Sequence, residues 1–76
     1  MNKIRRKQLE ELSSKIEELK GELESIMNDE EEYRDNMPEN LQSSEKYETA
    51  DNACYEMQNA IDSLDEAISS IESAKE

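Results

Sequence analysis

Two apolar stripes in heptad spacing, separated by the chain's single proline, restrict this sequence to a pair of long helices. Leu9, Leu12, Ile16, Leu19, Leu23, Ile26 and Tyr33 alternate in steps of three and four, interrupted only by Glu30. After Pro38 the same alternation returns in Tyr47, Ala50, Cys54, Met57, Ile61, Leu64, Ile68 and Ile71. A 3-4 repeat holds apolar side chains on one stripe of a helix, so each stripe predicts a helix that packs along one seam. The expected fold class is all-α: an antiparallel, coiled-coil-like two-helix hairpin that dimerises into a four-helix bundle.

Helix 1 is expected from about Lys3 to about Asp35, with Leu9, Ile16, Leu23 and Glu30 at heptad position a and Leu12, Leu19, Ile26 and Tyr33 at d. Two apolar positions per heptad make a narrow seam. Gly21 falls at position f, facing solvent. A residue before proline avoids the α region, so Met37 ends the helix, and Asn36 is placed to cap it. Residues 36–43 form the loop, in which Pro38 and Glu39 open a short turn. Ser43 or Ser44 then caps helix 2, expected over about 44–74, with Glu45 and Glu48 near its positive dipole end.

Helix 2 shows a wider apolar face. Met57, Leu64 and Ile71 take position a, and Cys54, Ile61 and Ile68 take e. Ala53, Ala60, Ala67 and Ala74 recur every seven residues at d. The alanine row reads either as close helix packing or as plain helix propensity. Because this face exceeds what helix 1 covers, self-association is expected through Ala53, Met57, Ala60, Ile61, Leu64, Ala67, Ile68 and Ile71. Pairing Leu9 with Ile71, Leu12 with Ile68, Ile16 with Leu64, Leu19 with Ile61 and Leu23 with Met57 keeps every layer apolar. That register brings Arg5 and Arg6 beside Glu72 and Glu76. The alternative for Lys3, Arg5, Arg6 and Lys7 is a small nucleic-acid or lipid contact.

Seventy-six residues make one domain, and a chain this short needs help to be stable. Cys54 is the only cysteine, so no disulfide forms within the chain, and a homodimer is the simplest remedy. The formal charge is -12, which disfavours direct contact with nucleic acid or anionic membrane. It favours solubility or a basic partner. No apolar run approaches the ~20 residues that span a bilayer. The basic N-terminal residues are not followed by the apolar segment of a signal peptide, and a lone cysteine fits the cytoplasm.

The densest charge feature is Asp29-Glu30-Glu31-Glu32 with Asp35. It reads as a solvated helix face, a site for a hard cation, or an imitation of phosphates offered to a nucleic-acid-binding protein. Together with Glu39, Glu45, Glu48 and Asp51, which return on the other helix, the carboxylates Asp29, Glu31, Glu32 and Asp35 form a candidate partner-binding surface at the hairpin tip. At Glu30, in position a, either the coil frays or the carboxylate finds a partner such as Lys46 across the hairpin, and adjacent Met27 is placed to rotate in and cover the gap. Cys54 is expected to be a packed thiol, Tyr55 exposed, and Tyr33 and Tyr47 packed together near the loop.

Enzymatic chemistry has little support. There is no histidine for acid–base work and no nucleophile with an evident base. Glu45 and Glu48 supply one Glu-x-x-Glu spacing of magnesium-dependent all-α hydrolases, but the Glu-x-x-Asp that should follow is missing. No cofactor and no metal are expected.

The segment from Met37 to Glu48, reading Met-Pro-Glu-Asn-Leu-Gln and then Ser-Ser-Glu-Lys-Tyr-Glu, lies between a Leu/Glu-rich and an Ala/Ile/Glu-rich helix. It is similar to small acidic helical proteins of Gram-positive bacteria, their phages and mobile elements. The resemblance implies no catalytic residue and a phage or mobile-element setting, where such proteins include inhibitors of host defence. In topology the chain also resembles the plasmid copy-control hairpins that dimerise into four-helix bundles. The expected function is non-enzymatic protein binding, with an acidic surface that mimics nucleic acid toward a host nucleic-acid-binding protein. The alternatives are a structural or adaptor coiled coil, whose acidity serves solubility only, and a magnesium-dependent hydrolase.

Overall fold

The structure, a computed structural model, describes all 76 residues. Helix α1 spans Lys3–Asp35 and helix α2 spans Glu45–Ala74, joined through a single 3₁₀ turn over Glu39–Leu41. The hairpin is a rod with Cα extents of 59 × 15 × 12 Å. Each helix end is set locally. Asn2 caps α1 by accepting the Arg5 N–H on Oδ1 at 2.8 Å. The Asn36 N–H donates to the Glu32 carbonyl at 2.9 Å and closes that helix. Pro38 precedes the 3₁₀ turn, and Ser44 caps α2 by accepting the Tyr47 N–H at 3.3 Å.

Three cross-helix bonds agree with the expected register. Arg6 Nε donates to the Lys75 carbonyl at 2.9 Å, Lys20 Nζ to Asp65 at 2.7 Å, and Arg34 Nη1 to Asp51 at 2.9 Å. The first brings Arg6 to the C-terminal end of α2, between Glu72 and Glu76 in the chain, as the register places it. Arg5 and Arg6 bond neither Glu72 nor Glu76, and Glu72 instead pairs with Lys75 at 3.0 Å. The free carbonyl end of α2, the negative pole of its dipole, is what receives the guanidinium.

The stripe of α2 closes the seam as expected, whereas α1 is rotated from its expected position. In α1 the half-buried or buried residues, apart from Glu31 at position b, are Leu9, Ser13, Ile16, Lys20, Leu23, Met27, Glu30 and Arg34. These are positions a and e, not a and d. In α2 the same two positions close the seam, with Ala50, Cys54 and Ile61 buried and Met57, Leu64, Ile68 and Ile71 half-buried. The layers Leu9–Ile71, Ile16–Leu64 and Leu23–Met57 therefore keep their expected composition. Leu12 and Leu19 do not face Ile68 and Ile61; Ser13 and Lys20 take those places. Lys20 and Arg34 lay their aliphatic stems over the seam and carry their charged heads out to Asp65 and Asp51. Both ion pairs fit this rotation.

Glu30 is half-buried and forms no ion pair with Lys46, although both line one shallow depression. Met27, half-buried beside Cys54, fills the seam next to it. Gly21 has no packing role, because a Cβ there meets nothing within 4 Å. Ser13 is the one buried polar residue, and its hydroxyl has no hydrogen-bond partner. An unsatisfied buried polar group costs about 1–3 kcal/mol. Ser13→Ala is therefore expected to stabilise the hairpin by about 1 kcal/mol. A thermal melt below that of the unsubstituted chain contradicts this assignment.

Candidate functional site

The rotation gives the rod two unlike faces. Chain direction reverses between α1 and α2, so the same heptad letter lies on the same side of the seam in both helices. Position b of α1 carries Glu10, Glu17, Glu24 and Glu31, and position b of α2 carries Asp51, Gln58, Asp65 and Glu72. The ion pairs Lys20–Asp65 and Arg34–Asp51 lie on this acidic side. Position d makes the opposite side. There Leu12, Leu19, Ile26 and Tyr33 are 48%, 57%, 59% and 51% exposed. Across from them runs the alanine row, with Ala60 and Ala74 exposed and Ala53 and Ala67 half-buried. Tyr33, Lys46 and Ala50 line a depression on the apolar side, whereas Met27, Glu31, Arg34, Asp51 and Cys54 line one on the acidic side.

Charge is also polarised along the rod. Residues 22–58, the loop half, hold twelve carboxylates against Arg34 and Lys46, a net charge of -10. The remaining residues hold nine carboxylates against seven cations, a net of -2. Repulsion therefore concentrates near the loop, as does attraction for any basic surface.

The eight carboxylates expected to bind a partner do not converge. Asp29, Glu32, Asp35, Glu39, Glu45 and Glu48 are exposed around the loop half, and Glu31 is half-buried on the acidic face. Asp35 and Asp51 are already engaged by Arg34, at 2.9 Å each. The hydrogen bond that Arg34 donates to Asp35, with Asp51 beside it, raises the pKa of the guanidinium further. Glu32, Glu39, Glu45 and Glu48 make no ion pair or side-chain bond and keep their charge free for a partner. No three acidic or thiol side chains come together in a geometry that holds a metal ion.

Of the residues expected to self-associate, Ile61 is enclosed between α1 and α2, and Met57, Leu64, Ile68 and Ile71 are half-buried in that same seam. The alanine row is the part that reaches the surface. Sequence reasoning missed the larger share of the open apolar side, namely Leu12, Leu19, Ile26 and Tyr33, because it assigned them to the intramolecular seam. Tyr55 is 65% exposed on the outer side of α2, as expected. Tyr33 stands on the apolar flank while Tyr47 sits half-buried in the seam.

Cys54 is a buried free thiol. Burial pushes its pKa up, opposed by the nearby Arg34. An acid whose pKa rises on folding binds more protons in the native state, so stability falls as pH climbs past the ordinary thiol range. Melts above pH ~9 should show this loss, and Cys54→Ala should remove part of it. An alkaline profile unchanged by Cys54→Ala counts against the burial argument.

No helix is long and apolar enough to cross a membrane. No protein-family model, curated protein or solved structure matches the chain.

Proposed function

We propose that this protein is a non-enzymatic binding module that presents the acidic loop half of its hairpin to a basic, nucleic-acid-binding protein partner. The observation that carries this reading is the charge polarisation, -10 on the loop half against -2 on the other. A field of that sign at one end of a rigid rod attracts a basic groove and orients its approach. The free carboxylates Glu32, Glu39, Glu45 and Glu48 surround the end of the rod, so they suit a groove that wraps it rather than a flat patch. Competition with nucleic acid follows, since a groove filled by the rod is closed to phosphates. A phage or mobile-element inhibitor of host defence is the biological setting that the sequence resemblance adds to this reading.

The test is capture from a bacterial lysate on the immobilised chain at low and at high salt. Retention of basic nucleic-acid-binding proteins at low salt, release at high salt, and displacement by added DNA or RNA support the proposal. Retention that ignores salt and nucleic acid refutes it and favours an adaptor role for the apolar side.

A further inference from the structure

The exposed apolar side has a rotation that names its occupant. In α1 the expected stripe, positions a and d, bisects at an angle about 50° from the a/e direction that faces α2; in α2 the large residues lie at a and e and face α1, and the a/d direction that carries the alanine row is turned by the same angle. Both helices turn the same way, toward the face that carries position d. Their a/d stripes thus point not at each other but at a common line above the hairpin. In a square four-helix bundle the stripe of each helix points at the bundle axis, about 45° from the line to its neighbour. The single hairpin already holds the half-bundle rotation, with its centre left open.

We infer that a second copy of this chain docks on that face, head to tail, with its two-fold axis through Leu19 and Ala60. Two observations select this occupant. Neither helix carries a carboxylate at position d, although 21 of the 76 residues are Asp or Glu. A partner carrying the basic groove proposed above has nothing to meet there, whereas an identical apolar face does. The open face runs along a rod 59 Å long, with Leu12, Leu19, Ile26 and Tyr33 exposed beside the alanine row, so a second rod of the same length covers all of it.

Charge then sets the orientation. Position g flanks position d on the outer edge of each helix, with Lys15 and Glu22 in α1 and Glu56 in α2. If both loops lay at the same end, α1 would stack on the partner's α2. Glu22 would then meet Glu56 twice, and two loop halves of net -10 would lie side by side. Head to tail, α1 stacks on the partner's α1. Lys15 then meets Glu22 twice, and each loop half lies over the less charged end of the other copy. The same register stacks Leu12 on Ile26, places Arg5 over Tyr33 as a cation–π pair, and brings Ala53 onto Ala67. At the axis Ala60 meets itself, where a small side chain permits close approach.

The experiment uses the full chain at micromolar concentration. Sedimentation equilibrium should give twice the monomer mass of 8.8 kDa, and Leu19→Glu should reduce it to the monomer. To separate loss of the dimer from loss of helix, a second pair of variants is made in a Cys54→Ala background. Leu19→Cys should be joined to itself in high yield by the short crosslinker bismaleimidoethane, while Tyr55→Cys, on the outer side, should not. A folded monomer for the unsubstituted chain, a dimer that survives Leu19→Glu, or crosslinking at Tyr55→Cys in place of Leu19→Cys each overturns the inference. Efficient joining of Leu19→Cys only to Ala60→Cys in a mixture overturns the head-to-tail orientation.

Discussion

Replacing Ile61 with Ala is expected to lower the unfolding free energy by about 2–5 kcal/mol. Ile61 is the only large aliphatic residue enclosed in the seam, 5% exposed, and the other half of each layer is shared with solvent. A 76-residue chain at ~0.05–0.15 kcal/mol per residue has about 4–11 kcal/mol in total. The substitution therefore removes a large fraction of it. Thermal melts followed by helical circular dichroism should fall by about 10 °C or more, since each kcal/mol shifts a domain of this size by ~4–8 °C. Tyr55→Ala, on the outer side of the same helix, should stay within about 0.5 kcal/mol of the parent. Similar losses from both variants would mean that the a/e seam does not hold the hairpin together.

The second large effect concerns binding. Glu32→Gln, Glu45→Gln and Glu48→Gln together change the loop half from a net -10 to -7. All three residues are exposed and make no side-chain bond. Glu45 and Glu48 give up their place at the positive end of the α2 dipole, about 0.3–1 kcal/mol each. The triple variant should still melt close to the parent, because relief of like-charge repulsion offsets that loss. Association with the lysate partner should slow by about 10-fold or more at low salt, in line with the size of electrostatic steering. Its salt dependence should flatten, because fewer ions are displaced. Binding of the triple variant as tight as that of the parent at low salt would reduce these carboxylates to a solvated surface. Asp35 and Asp51 are poor choices for the same test, because Arg34 holds both and their loss would disturb the seam.

Helix limits, hairpin topology and register were legible in the residues themselves. The 3-4 spacing, Pro38, Asn36 and Ser44 act over a few positions, so local chemistry places α1 and α2 almost to the residue. The alignment was legible too, because stripes of matched length admit few apolar pairings. Rotation was not. Leu12, Leu19 and Ile26 look like core at any level that counts apolar spacing, and Lys20 and Arg34 look like surface. Only the folded pair decides which flank of the stripe turns inward, because Lys20 reaches Asp65 and Arg34 reaches Asp51 across a distance of 45 or 17 residues in sequence. Those two bonds, and the aliphatic stems beneath them, accompany the a/e seam that leaves position d open. The acidic cluster shows the same division: its total charge is a property of composition, but which carboxylates stay free depends on where Arg34 lands. Spacing along a helix determines which residues share a stripe; the direction in which that stripe points is a property of the neighbour.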